Sequence, residues 1–480
     1  MTLMNKFLNK YRNMSKPVKA SLWFTLCNIM QKGIQFVTIP IYTRMMSTEQ
    51  YGEYTVFLSW YQIISIFATL NMWNYVINNG LVKYEKDKDG FVSSLQGLST
   101  TLTAIFTVVY MLLSGVWETW TQLTPAMMVV MIAELLVMPS FEYWCAKKRF
   151  EYDFKWVVIL SLMITALIPA VSIPLVMIMS EKGLAAIIGR AATSSVIYVI
   201  PFIIIMVKGR RFYNREYWRF ALKFNLPLIP HFLSTMILQQ SDRIMISNMC
   251  GQDKAGIYSL AYSISMVLLM VNSAIQASFV PYTYNSMKEK KYDGIRKNSL
   301  VLITIVAVLN LMLVLVAPEV LAILGTSEYS AAAYVMPPVA MSSVLMFLFN
   351  LFANIEYYFE ETKFVMTASV ISAVINIALN YVFISRFGFI AAGYTTLVCY
   401  AIYSAAHYFF MKIVIKKHIP GADIYNGKLI FSMMFGIITF SMLVMLIYDY
   451  AVIRIGILVV LAIVAYIKRK SIADRLNLKD

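Results

Sequence analysis

Apolar segments alternate with short polar breaks along this chain of 480 residues. Most apolar segments run for about 20 residues, the length that an α-helix needs to cross a hydrocarbon core of about 30 Å. The pattern therefore predicts an all-α integral membrane protein with about fourteen transmembrane helices. The predicted spans are residues 20–43, 54–78, 92–116, 124–145, 156–179, 183–207, 224–248, 256–283, 298–317, 332–356, 363–384, 389–412, 428–448 and 451–467.

The positions of the basic residues support this topology, because cytoplasmic loops of membrane proteins are enriched in Lys and Arg. With the N-terminus inside, most of the 41 Lys and Arg residues fall in inner segments, and both termini are cytoplasmic. Lys32 and Arg190 lie inside spans. The outer loops, together with the outer ends of the adjoining spans, hold only Arg44, Lys182, Arg243, Lys254, Arg386 and Arg454.

The spans divide the chain into two lobes of six helices followed by a final pair. The predicted parts are a basic cytoplasmic segment at 1–19, an N-terminal lobe at 20–207, a basic linker at 208–223, a C-terminal lobe at 224–414, and spans 13 and 14 with a basic tail at 415–480. The N-terminal segment carries no acidic residue, so we expect it to lie on anionic lipid.

Composition excludes an ordinary soluble domain and gives no sign of enzyme chemistry. Hydrophobic residues make up 60% of the chain and charged residues 14%, whereas soluble domains carry about 25% charged residues. The net charge of +16 is explained by the inner loops and does not indicate nucleic acid. Four separated cysteines and three scattered histidines predict no metal site, disulfide or cofactor. Because the connections are short, a membrane enzyme such as a polymerase or glycosyltransferase is the weaker alternative.

An internal repeat appears when Met46–Tyr54 is aligned with Cys250–Tyr258. Gly52 meets Gly256 and Tyr54 meets Tyr258. Both segments occupy the first outer hairpin of a six-span set. Because six is an even number, both sets begin on the same side of the membrane. The two lobes are therefore predicted to be parallel repeats related by an axis along the membrane normal.

An ordered set of short motifs resembles the polysaccharide transporter branch of the multidrug/oligosaccharidyl-lipid/polysaccharide superfamily, the flippases of O-antigen and capsule repeat units. The motifs are residues 44–54, 226–230, 241–244, 255–258, 325–329 and 376–380, with Gly388 and residues 391–393. The resemblance implies two six-helix lobes around a central cavity, two additional C-terminal helices, and alternating access between the two sides of the membrane.

The same resemblance implies a substrate, a location and partners. The substrate is an undecaprenyl-pyrophosphate-linked oligosaccharide moved from the cytoplasmic to the outer leaflet of the bacterial cytoplasmic (inner) membrane, with membrane lipids, a polymerase and other polysaccharide-assembly proteins as partners. A peptidoglycan-precursor flippase and a drug or metabolite exporter of the same superfamily remain the alternatives.

Charged and amide side chains inside spans are the candidates for binding this anionic substrate, because charges in the bilayer are costly unless they have a function. Lys32 lies near the middle of span 1, with Gln31 and Gln35 beside it. Snorkelling to the interface or pairing with a carboxylate is the alternative for Lys32. Arg190 either faces the cavity as a phosphate ligand or forms a structural ion pair with Glu134.

Asp242 and Arg243 are adjacent in span 7, so their side chains point about 100° apart and neither is the main partner of the other. Arg243 is predicted to line the cationic cavity, and a fold-holding or a gating role for Asp242 and Arg243 is the alternative. Ion coupling needs a buried carboxylate, for which Glu134 and Asp242 are the candidates. Glu142 and Glu356 lie near cytoplasmic ends of their spans and are expected to be solvated.

Amides form two further predicted stripes. Asn71, Asn74 and Asn78 lie at i, i+3 and i+7 of span 2, and Asn376 and Asn380 lie at i and i+4 of span 11. Such amides bind sugar hydroxyls or join helices in lipid. Asn74 is the predicted substrate ligand of the first stripe.

Overall fold

The computed structural model describes residues 14–475. Lys6, Lys10 and Arg12 of the predicted basic segment, and residues 476–480 of the tail, lie outside the described residues. Every regular element in the described range is helical. The chain forms two compact units, Met1–Leu233 and Ser234–Asp480. The predicted lobe boundaries and linker stay predictions.

Long helices joined by short connections make up both units. The first unit contains α1 (Lys16–Met45), α2 (Thr48–Thr69), α3 (Val76–Lys83), α4 (Lys88–Leu112), α5 (Ser114–Thr121), α6 (Pro125–Phe150), α7 (Phe154–Ile178), α8 (Lys182–Gly209) and α9 (Arg215–Asn225). Helix α10 (Ile229–Cys250) carries the chain into the second unit. The helices that follow are α11 (Gln252–Ser265), α12 (Leu269–Lys288), α13 (Tyr292–Leu315), α14 (Ala317–Leu324), α15 (Met336–Tyr358), α16 (Thr362–Phe387), α17 (Ala391–His418), α18 (Gly427–Val444) and α19 (Ala451–Arg475).

Twelve helices of the described chain are long and apolar enough to cross a membrane, so the protein is a multi-pass membrane protein. Helices α1 and α2, which coincide with the first two predicted spans, are not among these twelve. Helix α1 carries Lys19, Lys32 and Arg44, and α2 carries Glu49 and Glu53. These charged residues lower the mean hydropathy of the two helices. The membrane class is confirmed, and the count of fourteen spans stays a prediction.

The order of elements repeats between the units. Helices α4, α5 and α6 of the first unit are followed by α7 and α8, as α13, α14 and α15 are followed by α16 and α17. The aligned segments that revealed the repeat occupy equivalent places, because α2 begins at Thr48 and α11 begins at Gln252. Ser47 caps α2 in a reciprocal capping box with Gln50. Gly251, with a φ of 103°, precedes α11 at the matching position.

Burial differs sharply between helices, and the difference identifies the core of the second unit. In α15, 83% of the apolar stretch is buried inside the protein, whereas in α19 only 6% is buried. Helix α15 packs against α11, α13 and α17, and the C-terminal helices α18 and α19 pack on α13. In the first unit α8 packs against α4, α6 and α7, and α1 lies on α7. The apolar side chains left exposed on outer helices face lipid, which is their natural solvent.

Arg454 attaches the last span to the short helix α14. Its Nη1 and Nη2 donate to Glu319 Oε2 and Oε1 at 2.7 and 2.8 Å, and Nη1 also donates to the Leu315 carbonyl at 2.8 Å. The guanidinium is buried, and its hydrogen bonds lower the pKa of the half-exposed Glu319 carboxyl. The pair therefore stabilises the fold above the ordinary pKa of a glutamate and loses this effect as pH falls through the lowered value.

We expect Glu319→Gln to reduce the stability of the protein near neutral pH by about 1 kcal/mol or less, because solvent screens the exposed carboxylate. The difference in melting temperature between the wild type and Glu319→Gln should shrink as pH is lowered. Melting curves of purified protein in detergent at several pH values check this. A difference that stays constant down to acid pH would show that the carboxylate charge contributes nothing.

Candidate substrate-binding and ion-coupling sites

The polar residues of α1 fall into two groups. Gln31 Nε2 donates to the Ser161 carbonyl at 3.3 Å and to Thr165 Oγ1 at 3.2 Å, so its amide joins α1 to α7. Lys32 and Gln35 are exposed. Lys32 forms no ion pair with any carboxylate in the described part of the chain. Lys32 is therefore an available cation on the surface of the first unit. Gln31 is also predicted to bind substrate, but its side-chain amide already donates hydrogen bonds to α7.

Arg190 and Glu134 form an ion pair inside the first unit. Arg190 Nη1 lies 2.7 Å from Glu134 Oε2, and the Glu134 side chain is fully buried. The guanidinium also lies over the ring of Tyr61, 4.8 Å from its centroid. The other oxygen of Glu134, Oε1, is buried and has no hydrogen-bond partner among the described residues. Of the two alternatives for Arg190, the structural pair is present, and a role in binding substrate stays a prediction.

Asp242 lies at the centre of a buried network in the second unit. Its Oδ2 accepts hydrogen bonds from the hydroxyls of Tyr258 and Thr396, each at 2.6 Å, and its Oδ1 accepts one from Asn380 Nδ2 at 2.6 Å. The three donors come from α11, α16 and α17. A carboxylate that accepts three hydrogen bonds in a buried place is held rigidly, and it concentrates oxygen atoms where a cation or proton can bind.

The network extends along the amide stripe predicted for span 11. Asn376 Oδ1 accepts from the Ser241 hydroxyl at 2.8 Å and from Asn380 Nδ2 at 3.3 Å, and Asn380 Oδ1 accepts from Thr395. Both amides are buried. This stripe therefore joins α10, α16 and α17 rather than offering its amides on the surface.

Arg243 points away from Asp242, as the sequence predicts for neighbours on a helix. Its Nη1 donates to Gln240 Oε1 at 2.6 Å and to the Gln239 carbonyl at 3.3 Å. Its guanidinium lies over Tyr262, 4.3 Å from the ring centroid. Arg243 is 9% exposed, so only its edge is available to a ligand.

The predicted stripe of Asn71, Asn74 and Asn78 is wrong, because the helix of span 2 is interrupted. Helix α2 ends at Thr69, Leu70 and Asn71 have φ values of 57° and 48°, and the helix restarts only at Val76 in α3. Asn225 donates from its side chain to the Leu70 carbonyl that the interruption leaves without a helical partner. Asn74 lies in the turn and is exposed, so it shares no helical face with the other two.

The expectation that Glu356 is solvated is also wrong. Glu356 on α15 and His407 on α17 are both 0% exposed, and Glu356 Oε1 lies 2.9 Å from His407 Nδ1. The sequence argument rested on the distance of Glu356 from the end of its span, whereas packing of α17 over α15 covers it. The only sequence signal was that His407 stands in the apolar segment of span 12. Within the described residues no three His, Cys, Asp or Glu side chains are grouped to hold a metal ion.

Comparisons with known proteins fit this arrangement. A profile of the family described as "Polysaccharide biosynthesis protein" matches residues 18–287, and a profile described as MatE matches residues 227–382. "Lsg locus putative protein 1" of Haemophilus influenzae is 21% identical over 372 residues, which cover 76% of this chain and 90% of that protein. "Probable low-salt glycan biosynthesis flippase Agl15" of Haloferax volcanii is 23% identical over 172 residues, 35% of this chain and 36% of that protein.

The fold is similar to a solved structure of the lipid II flippase MurJ in an inward closed conformation. The TM-score is 0.63 at 14% sequence identity, and the match covers 95% of this chain and 100% of that one. This likeness shows the fold, and the two family profiles assign the chain to the multidrug/oligosaccharidyl-lipid/polysaccharide superfamily, whose members are transporters rather than enzymes. Since the family profile spans more than half of its length, the chain belongs to the polysaccharide biosynthesis protein family, the polysaccharide transporter branch of that superfamily.

Proposed function

We propose that this protein is a flippase that moves an undecaprenyl-pyrophosphate-linked oligosaccharide from the cytoplasmic to the outer leaflet of a bacterial inner membrane. Both termini lie in the cytoplasm, transport proceeds by alternating access, and an ion gradient drives it. A polymerase and other assembly proteins receive the flipped product.

The observation that carries the proposal is Lys32, an exposed cation without an ion-pair partner in the described chain, on the first long helix. A pyrophosphate needs such a cation wherever it leaves bulk water, because an uncompensated charge in a low-dielectric region is costly. The other intramembrane cations, Arg190 and Arg243, contact Glu134 and Gln240 and so retain fewer donors for a ligand. Gln35 and Asn74, both exposed, supply amides for sugar hydroxyls.

Short connections between helices support transport as the work of this chain. The longest connection between the long helices of the second unit that is free of regular structure runs only from Ile419 to Asn426. Such loops hold no domain that could build a catalytic site at the membrane face. What remains is movement of helices that bury their polar groups internally.

Lys32→Ala is expected to lower the rate of flipping by roughly 10- to 100-fold, since one charge-assisted contact to phosphate is worth about 1.5–3 kcal/mol. The assay follows a lipid-linked oligosaccharide in proteoliposomes and scores its accessibility to a membrane-impermeant lectin. In cells, the same variant should reduce surface polysaccharide while the protein remains inserted.

Lys155→Ala is the matched control, because Lys155 is also an exposed lysine but lies in a predicted cytoplasmic connection. It should flip at the wild-type rate. Equal rates for Lys32→Ala and the wild type would remove the role of Lys32 in binding the pyrophosphate. Flipping of a peptidoglycan precursor but not of the oligosaccharide would replace the proposed substrate.

A further inference from the structure

Glu356 and His407 form a buried pair that the proposed substrate path does not use. They lie on α15, the most buried long helix of the chain, and on α17, which packs along it. Each keeps one polar atom, Glu356 Oε2 and His407 Nε2, that is buried without a hydrogen-bond partner among the described residues. Orphaned buried atoms are rare in folded proteins, and each needs an explanation.

Few other ionisable groups surround this pair. Phe349 stacks on the His407 ring at 5.6 Å, and Tyr403 meets it edge-on at 4.7 Å. Among the described residues, Glu356 forms an ion pair with His407 and with no other cation, and the phenol of Tyr403 is a titratable group in contact with the imidazole. In the described residues, no charged side chain of α11, α12, α13, α16 or α18, which also pack on α15, forms an ion pair with Glu356 or His407.

The protonation states of the pair therefore differ in net charge. An ionised Glu356 beside a neutral His407 is a buried charge of −1 with no counter-ion, which a low-dielectric interior disfavours. Adding one proton makes the pair neutral, either as carboxylate and imidazolium or as carboxylic acid and imidazole. The proton can bind at the orphaned Nε2 or Oε2 while the bond between Oε1 and Nδ1 remains.

We propose that Glu356 and His407 together bind the proton that couples transport to the proton gradient. The inference rests on the proposed function and names its coupling ion. In the buried arrangement seen here the pair holds its proton, because release would leave the uncompensated charge. Movement of α17 relative to α15 that admits water stabilises the unprotonated state, and the proton leaves to that side. Binding and release of a proton are thereby linked to which side is open.

Infrared difference spectroscopy of the purified wild-type protein between acid and alkaline pH tests this directly, without any substrate. The proposal predicts that about one proton per chain binds to the hydrogen-bonded pair, where it should appear as a protonated carboxyl or imidazolium band. Glu356→Gln and His407→Gln keep a hydrogen-bonding side chain at each position, and each should lose this band.

The matched control is a second pair, formed by His418 at the end of α17 and Glu361 at the start of α16. His418 Nε2 is 3.1 Å from Glu361 Oε1, and this pair is open to solvent and also bound by Lys417. Glu361→Gln and His418→Gln should leave the band of the buried pair unchanged. If the buried-pair variants fail to fold, isotope labelling of histidine and, separately, of glutamate carboxyl groups in the wild type assigns the band. A band that shifts with neither label rejects the site.

The two proposals fail separately. A wild-type protein in which neither Glu356 nor His407 changes protonation over the range where the protein stays folded overturns the proton site, even if it flips lipid-linked oligosaccharide. A protein that shows the band but moves no lipid-linked oligosaccharide retains the proton site and loses the proposed substrate. Glu356→Gln that still shows flipping accelerated by a proton gradient to the wild-type extent also overturns the coupling role.

Discussion

Arg190→Met is expected to destabilise the protein by about 3–5 kcal/mol, because it leaves the fully buried carboxylate of Glu134 without its cation. The cost falls on the first unit, where Arg190 also covers the ring of Tyr61. The free energy of unfolding, measured by titrating detergent-solubilised protein with a denaturing detergent, checks the prediction. A loss of this size is comparable to the whole stability of many domains, so the variant should also accumulate poorly in cells.

The double variant Arg190→Met with Glu134→Gln separates structure from function. Removing both charges should recover most of the lost stability, since no isolated buried charge remains. If the stable double variant flips substrate normally, Arg190 serves the fold. If it is stable but inactive, Arg190 also binds the pyrophosphate, as predicted from its place inside a span. An Arg190→Met protein as stable as the wild type would contradict the structural pair itself.

The long apolar helices could be predicted from the sequence because bilayer length is a local property of the chain. The predicted spans 363–384 and 389–412 coincide with Thr362–Phe387 and Ala391–His418 to within six residues at each end. The repeat was also readable, since Gly52 and Gly256 stand at equivalent helix starts. Burial by lipid and burial by protein leave the same apolar pattern, so the sequence does not distinguish the core helix α15 from the peripheral α19.

The interruption between α2 and α3 could not be predicted from apolar length. The segment contains no proline or glycine, and of its two residues with positive φ only Asn71 belongs to a residue type that readily adopts the left-handed conformation. The neighbouring Leu70 adopts it as well, and the side chain of Asn225, far along the chain, binds the carbonyl that is left free. The break is therefore stabilised by tertiary contacts that a local pattern does not contain.

The candidate sites show the same division. The pairing of Glu134 with Arg190 could be named as an alternative because the sequence gives the depth of each residue along its span, and the two depths can match. The donors to Asp242 could not, because Tyr258, Asn380 and Thr396 meet only after three helices pack together. Likewise, the position of Glu356 near the end of a span predicts an exposed side chain. Only the packing of α17 against α15 shows that the side chain is buried.

Asp242→Asn is expected to have the second largest effect. The amide introduces an N–H group where Tyr258, Thr396 or Asn380 already donates, so at least one buried donor loses its acceptor at a cost of about 1–3 kcal/mol. Thr396→Val removes a single donor and leaves the acceptor with two others, so it should cost about 1 kcal/mol. The free energies of unfolding of the two variants, measured side by side, should rank in that order.

The same pair of variants tests whether Asp242 couples an ion, as its burial among oxygen atoms predicts. If Asp242 rather than the Glu356 and His407 pair binds the coupling ion, Asp242→Asn, which carries no charge, abolishes the response of flipping to an imposed ion gradient, whereas Thr396→Val, which retains the carboxylate, keeps most of it. Proteoliposomes with and without proton and sodium gradients provide the measurement, at a temperature where both variants are folded. If Asp242→Asn responds to the gradients as strongly as Thr396→Val does, Asp242 organises α10, α11, α16 and α17 but carries no ion, and the coupling charge must lie elsewhere in the second unit or in Glu134.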